Sequence, residues 1–373
     1  MTSTAPRPAV PTGLDLSADL MTLTRAVCDV PSVSGDERAL ADLVETALRR
    51  CAHLEVLRDG DTVLARTALG RARRVVLAGH LDTVPLAGNL PTHVTGEGPD
   101  AVVWGRGTVD MKAGVAVLLS LAAELATPSD DVTWVFYDHE EVAADLSGLG
   151  RVVERHPDWL VGDFAVLGEP TAAGIEGGCN GTLRARVVVP GVAAHSARAW
   201  TGVNAIHAAG EVLRRLEAYR PATVSIDGLD YREGLNAVLI SGGTAANVVP
   251  DRCEVTVNYR FAPSRTADEA AAHVREVLTG FEVEVLDVAA GALPGLDHPA
   301  ARAFVEAVLG AGGPAPTAKL GWTDVARFSA LGVPAVNFGP GDPLLAHRDD
   351  ERCPVAQVEA VHATLRAWLT RER

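Results

Sequence analysis

Short apolar runs that end in ionisable residues set the pattern of this chain. Val75-Val-Leu-Ala-Gly79 leads into His80-Leu-Asp82, Val132-Thr-Trp-Val-Phe-Tyr137 into Asp138-His-Glu140-Glu141, and Phe164-Ala-Val-Leu167 into Gly168-Glu169-Pro170. A brief run that is apolar throughout, rather than alternating, predicts a strand of a parallel sheet buried on both faces. The stretches around these runs predict helices over 17–28, 35–50, 113–126 and 147–156, with short strands near 54–58 and 62–66. Ser34-Gly-Asp-Glu37 reads as a capping box that opens the second helix. Alternating strands and helices imply an α/β fold with a mixed, mostly parallel sheet flanked by helices. Such sheets gather ligands at the carboxyl ends of their strands. His80 and Asp82, two apart in extended chain, point to the same side there.

The pattern changes after Gly177-Gly-Cys-Asn-Gly181. Leu183-Arg-Ala-Arg-Val-Val-Val189 alternates, as a half-exposed strand does. A helix is predicted over 202–217, strands near 235–241 and 253–260, a helix over 266–279 and a strand over 281–288. That order, β-α-β-β-α-β, is the ferredoxin-like split arrangement, and it predicts an inserted α+β domain. Helices at 298–310, 323–331 and 355–371 and the strand 334–338 return to the first pattern. The expected organisation is a discontinuous domain of 1–180 and 293–373, with 181–292 inserted.

Charge narrows the classes. The 33 basic against 48 acidic residues give a formal net charge of −15. This argues against a nucleic-acid partner, which needs a basic stripe to displace counterions. The five cysteines are scattered, with no C-x-x-C, and read as reduced thiols of a cytoplasmic protein. The first residues lack the basic-then-apolar order of a signal peptide, and their prolines suggest a loose tail. The most apolar helix candidate, 113–126, is too short to span a membrane, so no membrane association is expected.

Candidate ligands then line up: His80, Asp110 at the end of Gly105-Arg-Gly-Thr-Val-Asp110, Glu140 or Glu141, Glu169 and His347. Each on its own has a plainer reading. Paired acids are usually a solvated face, and the glycine-rich stretch lacks the Gly-Lys-Ser/Thr of a phosphate loop. Together, at strand ends, they are the imidazole and carboxylate donors of zinc or a related ion. Two histidines and three carboxylates exceed what one tetrahedral ion takes and suit two ions sharing a bridging carboxylate.

Gly79-His80-Leu-Asp82-Thr-Val-Pro85, Gly105-Arg-Gly-Thr-Val-Asp110-Met-Lys112, Glu140-Glu141, Gly168-Glu169-Pro-Thr171 and His347 resemble the motif series of the M20 family of dinuclear zinc amidohydrolases and exopeptidases. The resemblance implies two divalent ions, most simply Zn2+, with Co2+ admissible at one site. It assigns His80 and Glu169 to one ion, Glu141 and His347 to the other, and Asp110 as the bridge, followed by a cis peptide to Met111. It makes Glu140 the general acid/base and Asp82 the residue that orients His80. In Gly191-Val-Ala-Ala-His195, it implies that His195 reaches the active site of a partner subunit in a homodimer joined through the inserted lid domain. Arg260, Asn247, Arg184 and Gly321 match positions that meet the substrate, although Trp322 departs from the family's Gly-Thr-Ser-Asp loop. The implied reaction is amide hydrolysis of N-succinyl-LL-2,6-diaminopimelate. N-acetylornithine, another N-acyl amino acid or a peptide is the alternative substrate. A non-catalytic binding protein on the same scaffold would lack a ligand or Glu140, and none is missing.

Overall fold

The computed structural model describes residues 12–372, so the proline-rich stretch expected to form a loose tail lies outside the described residues. Two compact units divide the chain. The first takes the residues up to Glu176, Gly295–Thr317 and the chain from Arg327 onward; the second takes Gly177–Pro294 and Ala318–Ala326. The sequence partition leaves 318–326 in the discontinuous domain. The backbone places this segment with the second unit: the Asn180 N–H donates to the Lys319 carbonyl at 3.2 Å, and the Lys319 N–H to the Gly177 carbonyl at 3.3 Å.

The sheet of the first unit runs Glu55–Asp59, Thr62–Arg66, Asp131–Tyr137, Arg74–His80, Phe164–Leu167, Ala335–Asn337. Two-residue strands, Glu176–Gly177 and Thr317–Ala318, follow where the chain passes between the units. The first two strands are antiparallel to their neighbours, and the next three pairings are parallel. Asp131–Tyr137 and Phe164–Leu167 are buried at every position, and Arg74–His80 at all but its first. That is why their sequences carry no alternation. The helix Lys112–Glu124 is apolar nearly all round and packs on both the sheet and other helices. It approaches so closely that a Cβ on Gly114 would lie 2.2 Å from the Gly168 carbonyl oxygen. Glycine is therefore required at the point where Glu169 leaves its strand.

Two readings are corrected. The capping box does not form: the helix is Arg38–Leu48, with Glu37 at its N-cap making no side-chain cap bond. Tertiary partners win the two polar side chains. The Ser34 hydroxyl donates to Asp82 Oδ2 at 2.7 Å, and the Glu37 carboxylate accepts the N–H groups of Gly35 and His139 at 2.8 and 3.1 Å. By its Gly, Pro and Thr content, 86–103 reads as one long loop, yet it contains His93–Thr95 and leads into Val102–Trp104; with Arg352–Pro354 these form a three-stranded antiparallel sheet. Strands of three residues between glycines and prolines are too short to show a period.

The second unit centres on a four-stranded antiparallel sheet in the order Gly234–Gly242, Arg252–Phe261, Gly181–Pro190, Glu282–Ala289. With the helices Ala205–Ala218 and Ala267–Val277 this is the ferredoxin-like α+β arrangement. Leu183, Ala185, Val187, Val255, Val257 and Tyr259 pack on the helices. Alternate positions of the same strands carry Arg184, Arg186, Glu254 and Arg260 on the other face. The edge strand Gly234–Gly242 exposes Val238, Leu239 and Ile240.

Candidate metal centre and active site

Each apolar strand delivers its polar residues at its carboxyl end. His80 is the last residue of Arg74–His80 and is fully buried. Its Nδ1 lies 3.0 Å from the Asp82 main-chain carbonyl and 3.4 Å from Asp82 Oδ1. Because a carbonyl only accepts, Nδ1 carries the proton, and Nε2 faces Asp110 Oδ1 at 3.1 Å. The other Asp110 oxygen, Oδ2, lies 3.4 Å from His347 Nε2, and that nitrogen is 3.0 Å from Glu141 Oε1. Asp110 thus presents one oxygen to each imidazole. One donor atom each from His80, Asp110 and Glu141 lie within 4.8 Å of one another. Glu169 is buried one residue past Gly168, whose N–H donates to the Ala78 carbonyl two residues before His80. The Asp110–Met111 peptide is cis. His139 and His347 hold the left-handed backbone conformation, at φ 57° and 65°. That conformation is uncommon outside glycine and clusters at functional sites.

Asp82 does more than face His80. Its two carboxylate oxygens accept the N–H groups of Glu140 and Glu141, each at 3.0 Å, and Oδ2 also takes the Ser34 hydroxyl. One carboxylate thereby fixes the strand-end histidine and the turn that carries both acids. His139 Nδ1 pairs with Asp138 Oδ2 at 2.7 Å, and its N–H with Glu37, so it braces that turn from behind.

The electrostatics follow from this crowding. Burial opposes charge on His80, but the Asp110 and Asp82 carboxylates overcome it and raise its pKa well above the usual imidazole value. Hydrogen bonds to Asp110 and Glu141 outweigh burial at His347 and push it up to about 10. Burial also opposes ionisation of Asp110, yet His347 and His80 hold it well below the usual carboxylate range. At Asp82 burial is overcome by His80, then by the Glu140 N–H and the Ser34 hydroxyl, and its pKa is lowered to about 2. A field that keeps positive charge on both imidazoles favours cations, and imidazole with carboxylate is a fitting donor set for zinc-like divalent ions.

The remaining candidates belong to the second unit. His195 is exposed; its Nδ1 accepts the Ala197 N–H at 3.0 Å, and its strand pairs with Val248–Val249. Asn247 adjoins it: the Ser196 N–H donates to the Asn247 carbonyl at 2.9 Å. Arg184 pairs with Asp287 at 3.2 Å, and Arg260 lies opposite Thr182 on the same sheet face. Gly321 is exposed, and the neighbouring Trp322 indole donates to the Ala290 carbonyl at 3.1 Å. Ser34, Glu37 and Glu351 are the residues that sequence reasoning missed. Glu351 sits in an acidic run, Asp349-Asp350-Glu351, that looks solvent-facing, yet it is buried behind Asp110. No local feature of that run separates Glu351 from its exposed neighbours Asp349 and Asp350.

The sequence profile of Peptidase family M20/M25/M40 matches residues 76–371. A putative succinyl-diaminopimelate desuccinylase of Mycobacterium tuberculosis is 55% identical, over 95% of this chain and 99% of that protein. The succinyl-diaminopimelate desuccinylase of Corynebacterium glutamicum is 49% identical, over 96% and 98%. Among solved structures, a Staphylococcus aureus tripeptidase superposes with a TM-score of 0.76 at 19% identity, over 94% of this chain and 96% of its own. A Bacillus subtilis protein described as a dinuclear metal-binding peptidase of the M20 family gives 0.69 at 16%, over 94% and 96%. Profile, relatives and fold agree, and the chain belongs to the M20/M25/M40 peptidase family.

Proposed function

We propose that this protein hydrolyses the amide bond of N-succinyl-LL-2,6-diaminopimelate to succinate and LL-2,6-diaminopimelate, as a cytoplasmic biosynthetic enzyme. The observation that carries the hydrolytic reading is the Asp110 carboxylate, whose two oxygens face two different imidazoles. The 55% and 49% identical relatives, both named for this reaction, support the substrate. His80 and Glu169 would hold one divalent ion, Glu141 and His347 the other, and Asp110 both; zinc suits the mixed nitrogen and oxygen donors. Ions bound there supply Lewis-acid charge that polarises the amide carbonyl and lowers the pKa of water toward neutrality.

The protein's own groups do the rest. Glu140 takes the proton of the attacking water and passes it to the leaving amine nitrogen, so that the C–N bond breaks as an amine rather than an amide anion. Asp82 keeps Glu140 and Glu141 in register by holding both their N–H groups. His195 of a second subunit donates to the oxyanion, and Arg260, with Asn247, Arg184 and Gly321, receives the substrate's carboxylates. The exposed strand Gly234–Gly242, with Val238, Leu239 and Ile240, offers unpaired backbone at the sheet edge and fits a second copy of this chain as its cover.

A coupled amine-release assay over N-succinyl-diaminopimelate, N-acetylornithine, other N-acyl amino acids and dipeptides tests the substrate. The highest kcat/KM is expected for the succinyl compound; a higher value for any other member replaces it. Light scattering is expected to give twice the chain mass, and a monomer would remove His195 from the site.

A further inference from the structure

The loop that carries Asp110 and the loop that carries His347 are laced together by one buried side chain. Glu351 Oε1 accepts the main-chain N–H groups of Val109 at 2.8 Å and Asp110 at 3.1 Å. Its Oε2 accepts from Arg106 Nη1 at 2.9 Å, and that nitrogen also donates to the Arg348 carbonyl at 3.1 Å. The Glu351 carbonyl accepts the Gly105 N–H at 3.0 Å. The Arg106 and Glu351 side chains are 3% and 1% exposed. The next residue, Arg352, pairs with Trp104, so the two stretches stay together beyond the carboxylate.

Stability alone does not account for such a pair. Desolvating a carboxylate and a guanidinium consumes much of what their attraction returns, and an apolar pair of similar volume often does as well. What the pair adds is geometry. It pins the peptide before Asp110 on one side and the residue after His347 on the other. Between these anchors, Asp110 Oδ2 and His347 Nε2 stand 3.4 Å apart. Asp82 does the corresponding work on the other side of the cluster, through the N–H groups of Glu140 and Glu141.

We infer that Glu351, paired with Arg106, is a positioning residue that presets Asp110 and His347 as a pair of cation donors before any cation binds. The inference rests on reading Asp110 and His347 as ligands. Groups that hold ligands from behind typically change cation affinity by about 10- to 100-fold when altered.

Two measurements test it. The first needs no substitution: amide hydrogen exchange at Val109 and Asp110 in metal-stripped wild-type protein. Slow exchange, unchanged on adding zinc, is expected; protection that appears only with zinc overturns the inference. The second titrates stripped Glu351→Gln and Arg106→Lys with Co2+, following visible absorption, with circular dichroism to confirm folding. In folded Glu351→Gln the weaker equivalent is expected to bind about 10- to 100-fold less tightly, and Arg106→Lys, which keeps the buried cation, is expected to lose less. Wild-type affinity for both equivalents in folded Glu351→Gln overturns the inference. If wild-type protein itself binds no cation, the metal reading fails, while the exchange measurement still decides whether the loop is preset.

Discussion

Glu37, Asp82, Asp131 and Glu351 in the first unit and Glu254, Glu284 and Asp287 in the second are all carboxylates, but they live differently. Those of the first unit are buried and take main-chain N–H groups: Gly35 and His139 for Glu37, Glu140 and Glu141 for Asp82, Leu69 and Arg71 for Asp131, Val109 and Asp110 for Glu351. Those of the second unit lie on the open face of its sheet and pair with Arg184 and Arg186 across strands, all at least 31% exposed. Two carboxylates of the second unit, Glu233 and Asp324, are buried as well, and Glu233 takes the Tyr259 hydroxyl, the Ala262 N–H and Arg265. A buried carboxylate bonded to amides fixes the path of a loop, and losing it strands two donors at about 1–3 kcal/mol each. An exposed pair holds nothing in place and contributes about 0–1 kcal/mol. Glu37, Asp82 and Glu351 hold turns beside the candidate ligands, whereas Asp131 holds the 69–71 turn at the amino end of its strand, so three of these four buried carboxylates gather where chemistry is expected.

The comparison can be broken at four places. Glu140→Gln should cut kcat by about 10²–10⁴-fold with cation content unchanged; retained turnover would remove Glu140 as the proton carrier. His195→Ala should lower kcat by about 10²–10³-fold, again without loss of cations, and an unchanged kcat would leave the second unit without a part in the chemistry. Asp82→Asn should weaken cation binding by about 10–100-fold, measured by dialysis against a chelator series, because its NH2 end puts a donor opposite one of the two N–H groups that the carboxylate accepts. Full cation affinity there would show that buried carboxylates are not what fixes the first unit's loops. Arg184→Ala, at the other extreme, should leave the unfolding free energy within about 1 kcal/mol of wild type and raise KM a few-fold; an unmoved KM would drop Arg184 from the substrate contacts.

The frame of both units was legible because it rests on local patterns. Three unbroken apolar runs became the buried strands ending at His80, Tyr137 and Leu167, and the alternation from Leu183 to Val189 became a strand with one covered face. What could not be read is what depends on distant partners. Ser34 and Glu37 have the spacing of a helix cap, and nothing local says that Asp82 and His139 will claim them instead. The hairpin Thr223–Ile226 with Leu229–Arg232 was missed although it was legible: Asp227-Gly228 between its strands, at φ 51° and 80°, is the two-residue turn that hairpins favour. The candidate ligands could be named from the sequence; their supports could not, since amide acceptors leave no motif.

The bonds from Ser34 and Glu37 also bear on how the gene can be cut. A fragment beginning at residue 76, where the family profile starts to match, would retain every candidate ligand and the whole second unit. It would nevertheless lose the hydroxyl that holds Asp82 and the carboxylate that holds the His139 turn. Edits upstream of about residue 33, such as tags, spare these contacts; a truncation past that point removes them. The working minimum of this enzyme is therefore longer than its recognisable signature.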